Sequence, residues 1–141
     1  MLMARILIVD DHPASLELVR AVLENDGYDV REARDGIEAV AVAVDWLPNL
    51  VLMDLQMPGM DGFATLRTLR NEPRLGEVPI VALTARAMQG YVDVVLGAGF
   101  SGYLTKPLSL NGFRHQIRGF LKASMQGCRR DANTETQDFA E

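Results

Sequence analysis

The chain has 141 residues, 48% hydrophobic and 23% charged, which allows one domain with a two-sided core but not two domains. Its formal net charge of −5 makes nucleic acid an unfavourable direct partner, and the single cysteine, Cys128, excludes an internal disulfide. Residues 1–5 do not form a signal peptide, and no apolar run approaches the ~20 residues of a membrane helix, so we predict a cytoplasmic protein without membrane contact.

Short apolar runs alternate with longer amphipathic segments along the chain. In chain order, the predicted strands are residues 6–9, 28–31, 50–53, 80–83 and 102–104. The predicted helices are one that ends at Gly27, followed by residues 35–46, 62–71, 86–97 and 109–123. The continuously apolar first, third and fourth strands are typical of strands buried on both faces of a parallel sheet. The alternation predicts an α/β fold, a doubly wound five-stranded parallel sheet in the flavodoxin-like order 2-1-3-4-5 with five helices.

The periodicity also predicts which helix faces are buried and where the domain ends. We assign four residues of the first helix to its buried stripe: Ser15, Leu18, Val19 and Val22. The last helix should turn four residues inward: Phe113, Ile117, Phe120 and Leu121. We predict one domain over residues 4–123 and a polar, disordered tail over 124–141, with no output domain attached.

Charged and hydroxyl side chains follow four of the five predicted strands. Asp10 and Asp11 follow the first strand, Asp54 the third, Thr84 the fourth and Lys106 the fifth. Ligands of open α/β sheets bind beyond the carboxyl ends of the strands, so these side chains are expected to converge. An aspartate at a strand end is often only a helix cap or a turn residue. Three carboxylates, a hydroxyl and an ammonium at adjacent strand ends favour a binding site instead.

Three neighbouring carboxylates repel one another unless a cation lies between them. Mg²⁺ suits this donor set, because it binds one or two carboxylates and keeps coordination positions for water and phosphoryl oxygens. We assign Asp10 and Asp11 as metal ligands, Asp11 as the more direct one, and the backbone carbonyl of Gln56 as a further ligand.

Asp54 is the best nucleophile of the three aspartates. It follows the most central apolar run and precedes the turn-rich segment 56–62, which can leave it accessible. A carboxylate nucleophile that forms phosphoaspartate is an established solution in phosphoryl transfer. Lys106, as a point charge, and Thr84, as a hydroxyl donor, suit the oxygens of such a phosphoryl group.

Four segments of the sequence resemble the motif blocks of response-regulator receiver domains. They are Ile6-Leu7-Ile8-Val9-Asp10-Asp11, residues 52–62 around Asp54, Ala82-Leu83-Thr84-Ala85, and residues 102–107 with Lys106-Pro107. The resemblance covers residues 4 to about 122, in the family's order and spacing. Within the family the chain is most similar to free-standing single-domain regulators of the polar-differentiation type.

The resemblance implies a phosphorelay switch rather than an enzyme with its own substrate. A histidine kinase or a histidine phosphotransfer protein would phosphorylate Asp54, with Mg²⁺ held by Asp10, Asp11 and Asp54. Thr84 and Tyr103 correspond to the family's switch pair, and Lys106 to its phosphate-binding lysine. The phosphorylated protein, a monomer or weak dimer, would then signal to a downstream protein partner.

Two surfaces are candidates for such partners. On the first helix, Leu16, Glu17 and Arg20 are expected at or beside the solvent edge, next to the acidic site. The fourth helix offers more apolar residues than one buried stripe requires: Tyr91, Val92, Val94, Val95 and Leu96. Trp46 and Phe100 are interpreted as packing or loop residues.

Three other functions are considered. A haloacid-dehalogenase-like phosphatase would place its nucleophile in an Asp-x-Asp pattern after the first strand, whereas this chain has Asp10-Asp11-His12 there. A flavin-binding domain would need a phosphate loop at that point, and Asp10-Asp11 would repel the phosphate. A pseudo-receiver that binds partners without phosphate chemistry would not need the complete acidic set.

Overall fold

The structure is a computed structural model, and it describes residues 4–55, 61–84, 89–105 and 110–125. The strands are β1 (Arg5–Val9), β2 (Asp29–Ala33), β3 (Leu50–Asp54), β4 (Ile80–Thr84) and β5 (Gly102–Thr105). The helices are α1 (Pro13–Asn25), α2 (Gly36–Trp46), α3 (Gly62–Asn71), α4 (Gln89–Ala98) and α5 (Leu110–Met125), with a short 3₁₀ turn at Pro73–Leu75. The predicted alternation of five strands and five helices is confirmed.

The five strands form one parallel sheet in the order β2-β1-β3-β4-β5. Helices cover both faces of this sheet. One face packs against α1 and α5 through residues such as Leu23 and Ile117, and the other packs against α2, α3 and α4 through residues such as Leu66 and Val95. The predicted doubly wound order 2-1-3-4-5 is therefore confirmed.

The two core layers explain why the central strands are continuously apolar. Within β3, Leu52 faces the α1–α5 layer and Met53 faces the α2–α3–α4 layer, and neither side chain is exposed at all. Burial of an aliphatic side chain of this size stabilises the fold by about 1.5–3 kcal/mol, so both alternating faces of the strand favour an apolar residue. A polar residue at the end of such a strand marks the point where the core stops.

Local signals set the ends of the helices. Pro13 opens α1, where its missing N–H costs little, and Gly27 after α1 has a φ of +95°, which glycine adopts without strain. The carboxylate of Asp35 caps α2 by accepting a hydrogen bond from the Glu38 N–H at 2.7 Å. Asp61 caps α3 by accepting from the N–H groups of Phe63 and Ala64. Two aspartates of the sequence thus have structural roles.

One helix face differs from the prediction. Leu16 is buried in the α1 stripe with Val19, Val22 and Leu23, whereas Leu18 is 53% exposed and Ser15 is only partly buried. The assignment of Leu18 to the buried stripe was wrong, because at about 100° per residue the stripe that contains Val19 and Val22 passes through Leu16 instead. Ser15, four residues before Val19, lies on this face and is partly buried. The four residues assigned to the inward face of α5 are all buried, as predicted: Phe113, Ile117, Phe120 and Leu121.

Some predictions lie outside the described residues. They concern Gln56, Lys106 and the tail from residue 126 onward. Within the residues that the structure does describe, no helix is both long enough and apolar enough to span a membrane.

Candidate phosphoacceptor site

The strand register brings three of the predicted site residues to one edge of the sheet. Val9 pairs with Met53, so Asp10, directly after β1, lies at the same level as Asp54, the last residue of β3, and the two strands are roughly 4.8 Å apart in the pairing direction. Asp54 pairs with Leu83, which places Thr84 one residue further along the next strand. The pairing persists around this edge, because the Asp10 N–H donates to the Ala33 carbonyl at 3.0 Å and the Leu55 N–H donates to the Leu83 carbonyl at 3.0 Å.

These three side chains are buried although they are polar. Asp10, Asp54 and Thr84 are 1%, 4% and 1% exposed, respectively. A carboxylate taken out of water is costly unless hydrogen bonds or cations compensate it, so burial of two carboxylates side by side is uncommon in a purely structural role. The arrangement is expected where a cation and a reacting group complete the site.

The loop after β1 gives its two aspartates different environments. An Oδ1 atom of Asp10 accepts a hydrogen bond from the His12 N–H at 2.9 Å, which fixes the turn that leads into α1. Asp11, by contrast, is exposed to solvent. The buried, oriented carboxylate of Asp10 thus lies next to the accessible carboxylate of Asp11. His12 is an exposed loop residue before α1.

The donor set fits Mg²⁺ better than a metal that needs a closed cage of side chains. In the described ranges, no group of three His, Cys, Asp or Glu side chains could hold a metal ion by itself. Mg²⁺ does not need such a group, because it commonly binds one or two carboxylates and keeps several waters. Asp10, Asp11 and Asp54 supply carboxylates of the preferred oxygen type at this edge, while the Gln56 carbonyl lies outside the described residues.

Thr84 and Tyr103 lie on the same face of the sheet, the one covered by α2, α3 and α4. Tyr103 pairs with Ala82, two residues before Thr84, and side chains two residues apart in a strand point the same way. Tyr103 is half-buried and packs against the core layer on that face. Ala82, which faces this ring from the adjacent strand, is fully buried. The pairing of Tyr103 with Ala82 could not be predicted from the sequence, and only the register between β4 and β5 reveals it.

The predicted site residues lie on both faces of the sheet. Asp54 follows Leu52 by two residues and pairs with Leu83, and both leucines face the α1–α5 layer, so the Asp54 carboxylate lies on that side. Thr84 lies on the opposite side, toward α4. Lys106, the residue after Thr105, lies outside the described residues, although Thr105 pairs with Thr84. A group attached to Asp54 would therefore need to reach across the end of β4 to contact Thr84.

The surface beside α1 differs in part from the prediction. Leu16 is only 2% exposed, so its assignment to the solvent edge was wrong; Glu17 is exposed and Arg20 is partly exposed. Arg20 donates hydrogen bonds to Glu24 and Glu32, both at 2.9 Å, and its contacts with these carboxylates raise the pKa of Arg20 above its ordinary value. These residues line an open groove of about 380 Å³ between α1 and β2. The part played by Glu32 was missed, because its distance to α1 depends on the tertiary packing of an edge strand.

The α4 surface agrees with the prediction that this helix has more apolar residues than its buried stripe needs. Val92 and Val95 are buried and Tyr91 is half-buried, whereas Val94 and Leu96 are 57% and 36% exposed. Part of the predicted set is therefore available at the surface.

Trp46 and Phe100 are packing residues, as interpreted from the sequence. The Phe100 ring packs edge-on against Phe63, with ring centroids 5.7 Å apart. The Arg31 guanidinium lies 4.8 Å above the Trp46 ring.

The molecule is a doubly wound α/β domain with two buried carboxylates at the carboxyl edge of its sheet. The protein-family model of the response regulator receiver domain matches residues 6–118. The chain belongs to this family.

Two curated relatives show different whole-protein contexts. The DNA-binding dual master transcriptional regulator RpaA of Synechocystis is 40% identical over 122 residues, which cover 85% of this chain and 50% of that protein. The polar-differentiation response regulator DivK of Brucella anthropi is 33% identical over 116 residues, which cover 82% of this chain and 94% of DivK. The chain thus spans about half the length of RpaA and almost all of DivK.

Solved structures of a response regulator and of a receiver domain are also similar to this chain. The chemotaxis response regulator CheY4 of Vibrio cholerae superposes with a TM-score of 0.80 at 28% identity, over 84% of this chain and 99% of that one. The receiver domain of the sensor histidine kinase PA1611 from Pseudomonas aeruginosa has a TM-score of 0.78 at 34% identity, over 86% of this chain and 99% of that one. That structure holds a magnesium ion in its active-site cleft.

Proposed function

We propose that this chain is a response-regulator receiver of a two-component phosphorelay, and that Asp54 is its phosphoacceptor. One observation carries the proposal: two carboxylates, Asp10 and Asp54, are buried at the same level of adjacent strand ends, with the Thr84 hydroxyl one residue further on. Membership of the receiver family and the similarity to DivK along almost its whole length support it.

In the proposed reaction, a carboxylate oxygen of Asp54 attacks the phosphorus of a phosphohistidine on a histidine kinase or a histidine phosphotransfer protein. The new O–P bond forms as the P–N bond breaks, and the imidazole leaves with the electron pair. Water can later cleave the phosphoaspartate and restore the Asp54 carboxylate. The chain acts as a switch that resets itself rather than as an enzyme with a separate substrate.

Bound Mg²⁺ would neutralise the carboxylates and the phosphoryl oxygens. Asp10, Asp11, Asp54 and the carbonyl of Gln56 would hold it. The hydrogen bond from the His12 N–H keeps the Asp10 carboxylate oriented, so this ligand would be preorganised. Lys106 would compensate one negative charge of the phosphoryl group, and the Thr84 hydroxyl would donate to one of its oxygens.

The same bonds would drive the switch. Movement of the Thr84 hydroxyl toward Asp54 would vacate space on the α4 side of β4, beside Ala82. Tyr103 faces Ala82 across the β4–β5 pair, so its ring could turn into that space. Each new bond to a charged group contributes about 1.5–3 kcal/mol, which is enough to make a minor conformation dominant. A downstream protein partner would detect the change at α4, where Val94 and Leu96 are exposed.

The groove between α1 and β2 is a suitable place for the phosphodonor, since its residues Pro13 and Leu16 lie in the first turn of α1, shortly after the acidic loop. Glu17 and Arg20 offer charges of both signs at its rim. We infer a cytoplasmic protein that is a monomer or a weak dimer, in agreement with the composition. A direct contact with nucleic acid is not part of the proposal.

The proposal is tested by incubation with acetyl phosphate and Mg²⁺, followed by intact-mass measurement. The wild type should gain one phosphoryl group and Asp54→Asn should gain none. Asp45→Asn is the matched control, because Asp45 is an exposed carboxylate on α2, away from the strand ends. An adduct that forms equally fast and persists in Asp54→Asn would refute the assignment.

A further inference from the structure

The helix α5 carries a basic stripe on its surface, although the whole chain has a net charge of −5. We define this basic stripe as Arg114, His115, Arg118 and Lys122. The three permanently charged members are spaced by four residues, so they lie on one face of the helix. Residues 110–125 contain no aspartate or glutamate that could compensate them locally.

Only the first cation of the basic stripe has an anionic partner among the described residues. Arg114 is partly buried, and its Nε lies 3.2 Å from an Oδ2 atom of Asp26. Arg118 and Lys122 are exposed, and no ion pair within the described ranges reaches either of them. Like charges four residues apart repel, so a bound anionic segment would stabilise this end of α5.

Gly119 makes the same face accessible to a polypeptide backbone. It is exposed between Arg118 and Lys122, and a Cβ added there would meet nothing within 4 Å. Glycine inside a helix is unfavourable compared with alanine, and this position has no packing reason for it. An open backbone beside Lys122, three residues further on, suits an acidic chain that lies close against the helix.

The sequence after α5 provides a segment of the complementary charge. Residues 131–141 contain four carboxylates and no lysine or arginine: Asp131, Glu135, Asp138 and Glu141. Residues 126–130 connect this segment to Met125 and can span up to about 17 Å when extended. Lys122 and Arg118 lie only about 5 and 10 Å back along the helix axis from Met125, at 1.5 Å per residue.

From this charge complementarity and reach, we propose that residues 131–141 bind intramolecularly to the basic stripe of α5, centred on Arg118, Gly119 and Lys122. The short connection gives the segment a high effective concentration at α5, which a free acidic protein does not have. The contact covers one side of α5, so a partner that uses this side must displace the segment. The inference concerns the unphosphorylated protein and does not depend on the role of Asp54.

The test uses paramagnetic relaxation in the full chain without acetyl phosphate. A nitroxide label is attached at Thr136→Cys in a Cys128→Ser background, and amide signals are recorded at low and high salt. We expect strong broadening at residues 115–122 at low salt, with at least a twofold loss of signal, and its reversal in high salt. Arg118→Gln/Lys122→Gln should abolish the broadening.

Arg34→Gln/Arg67→Gln is the matched control, because it removes two exposed cations elsewhere on the surface and changes the net charge equally. In this variant the broadening at residues 115–122 should remain. The inference is refuted if the label broadens α5 no more than other surfaces, or if the control variant loses the effect equally. It is also refuted if the broadening appears only between a labelled chain and a separate isotope-enriched chain, which would show binding to a second copy.

Discussion

At the scale of single residues, burial and exposure separate the three aspartates that the sequence groups together. Asp10 and Asp54 are almost completely buried, whereas Asp11 is exposed. The position of all three could be predicted, because continuous apolar runs mark where each strand ends. Their environments could not be predicted, because the hydrogen bond from the His12 N–H to the Asp10 carboxylate depends on how the backbone turns after β1.

The metal-ligand assignment leads to a prediction for Asp11. Because Mg²⁺ binds through oxygen ligands and Asp11 is the accessible carboxylate, Asp11→Ala should weaken Mg²⁺ binding by about tenfold or more. Glu17→Ala, which removes an exposed carboxylate from α1, should leave the affinity nearly unchanged. Calorimetric titration measures both, and equal affinity of Asp11→Ala and the wild type would contradict the assignment.

Thr84 provides the prediction for the switch. Thr84→Ala should still be phosphorylated on Asp54, because the nucleophile and the carboxylates are intact. It should lose most of the phosphorylation-induced amide shifts at Tyr103 and in α4, because the alanine cannot donate to the phosphoryl group. Thr68→Ala, on the exposed side of α3, is the control. Shifts that survive unchanged in Thr84→Ala would mean that phosphorylation is transmitted by another route.

At the scale of elements, the strands agreed with prediction to within one or two residues, but one helix surface did not. The wrong stripe on α1 arose because Leu16 and Leu18 are both leucines, and the pattern alone does not decide which of them faces the sheet. The pairing of Tyr103 with Ala82 could not be predicted either, since it depends on the register between β4 and β5.

Arg70 at the end of α3 is an element-scale feature that the sequence did not reveal. Its Nη1 donates to the carbonyls of Val78 and Gly76, at 2.6 and 3.1 Å, and its Nη2 donates to the Gly99 carbonyl and the Ser101 Oγ, both at 3.2 Å. These bonds connect α3 to the segments that precede β4 and β5. Burial lowers the pKa of Arg70, so the hydrogen bonds must compensate its desolvation.

We predict that Arg70→Met lowers the free energy of unfolding by about 2–3 kcal/mol, because several carbonyls lose a charged donor at once. Arg67→Met, which removes an exposed cation from the same helix, should change it by less than about 0.5 kcal/mol. Urea unfolding followed by circular dichroism measures both values. Equal stability of Arg70→Met and Arg67→Met would show that these bonds contribute little.

At the scale of the whole molecule, the doubly wound sheet explains why the site could be located from the sequence. Parallel strands end at one edge, so residues as far apart as Asp10, Asp54 and Thr84 meet there. The partner surfaces were less predictable, because the α1–β2 groove requires Arg20 and Glu32 to meet across two elements.

Chemical mapping of the modified residue tests most directly whether the phosphoryl group is attached to Asp54. Borohydride reduces an acyl phosphate to an alcohol, so phosphorylated aspartate becomes homoserine, which peptide mass spectrometry locates. After treatment with acetyl phosphate and Mg²⁺, we expect homoserine at position 54 alone. Homoserine at position 10 or 11 instead would contradict it, because the nucleophile would then follow β1, as in the phosphatase alternative.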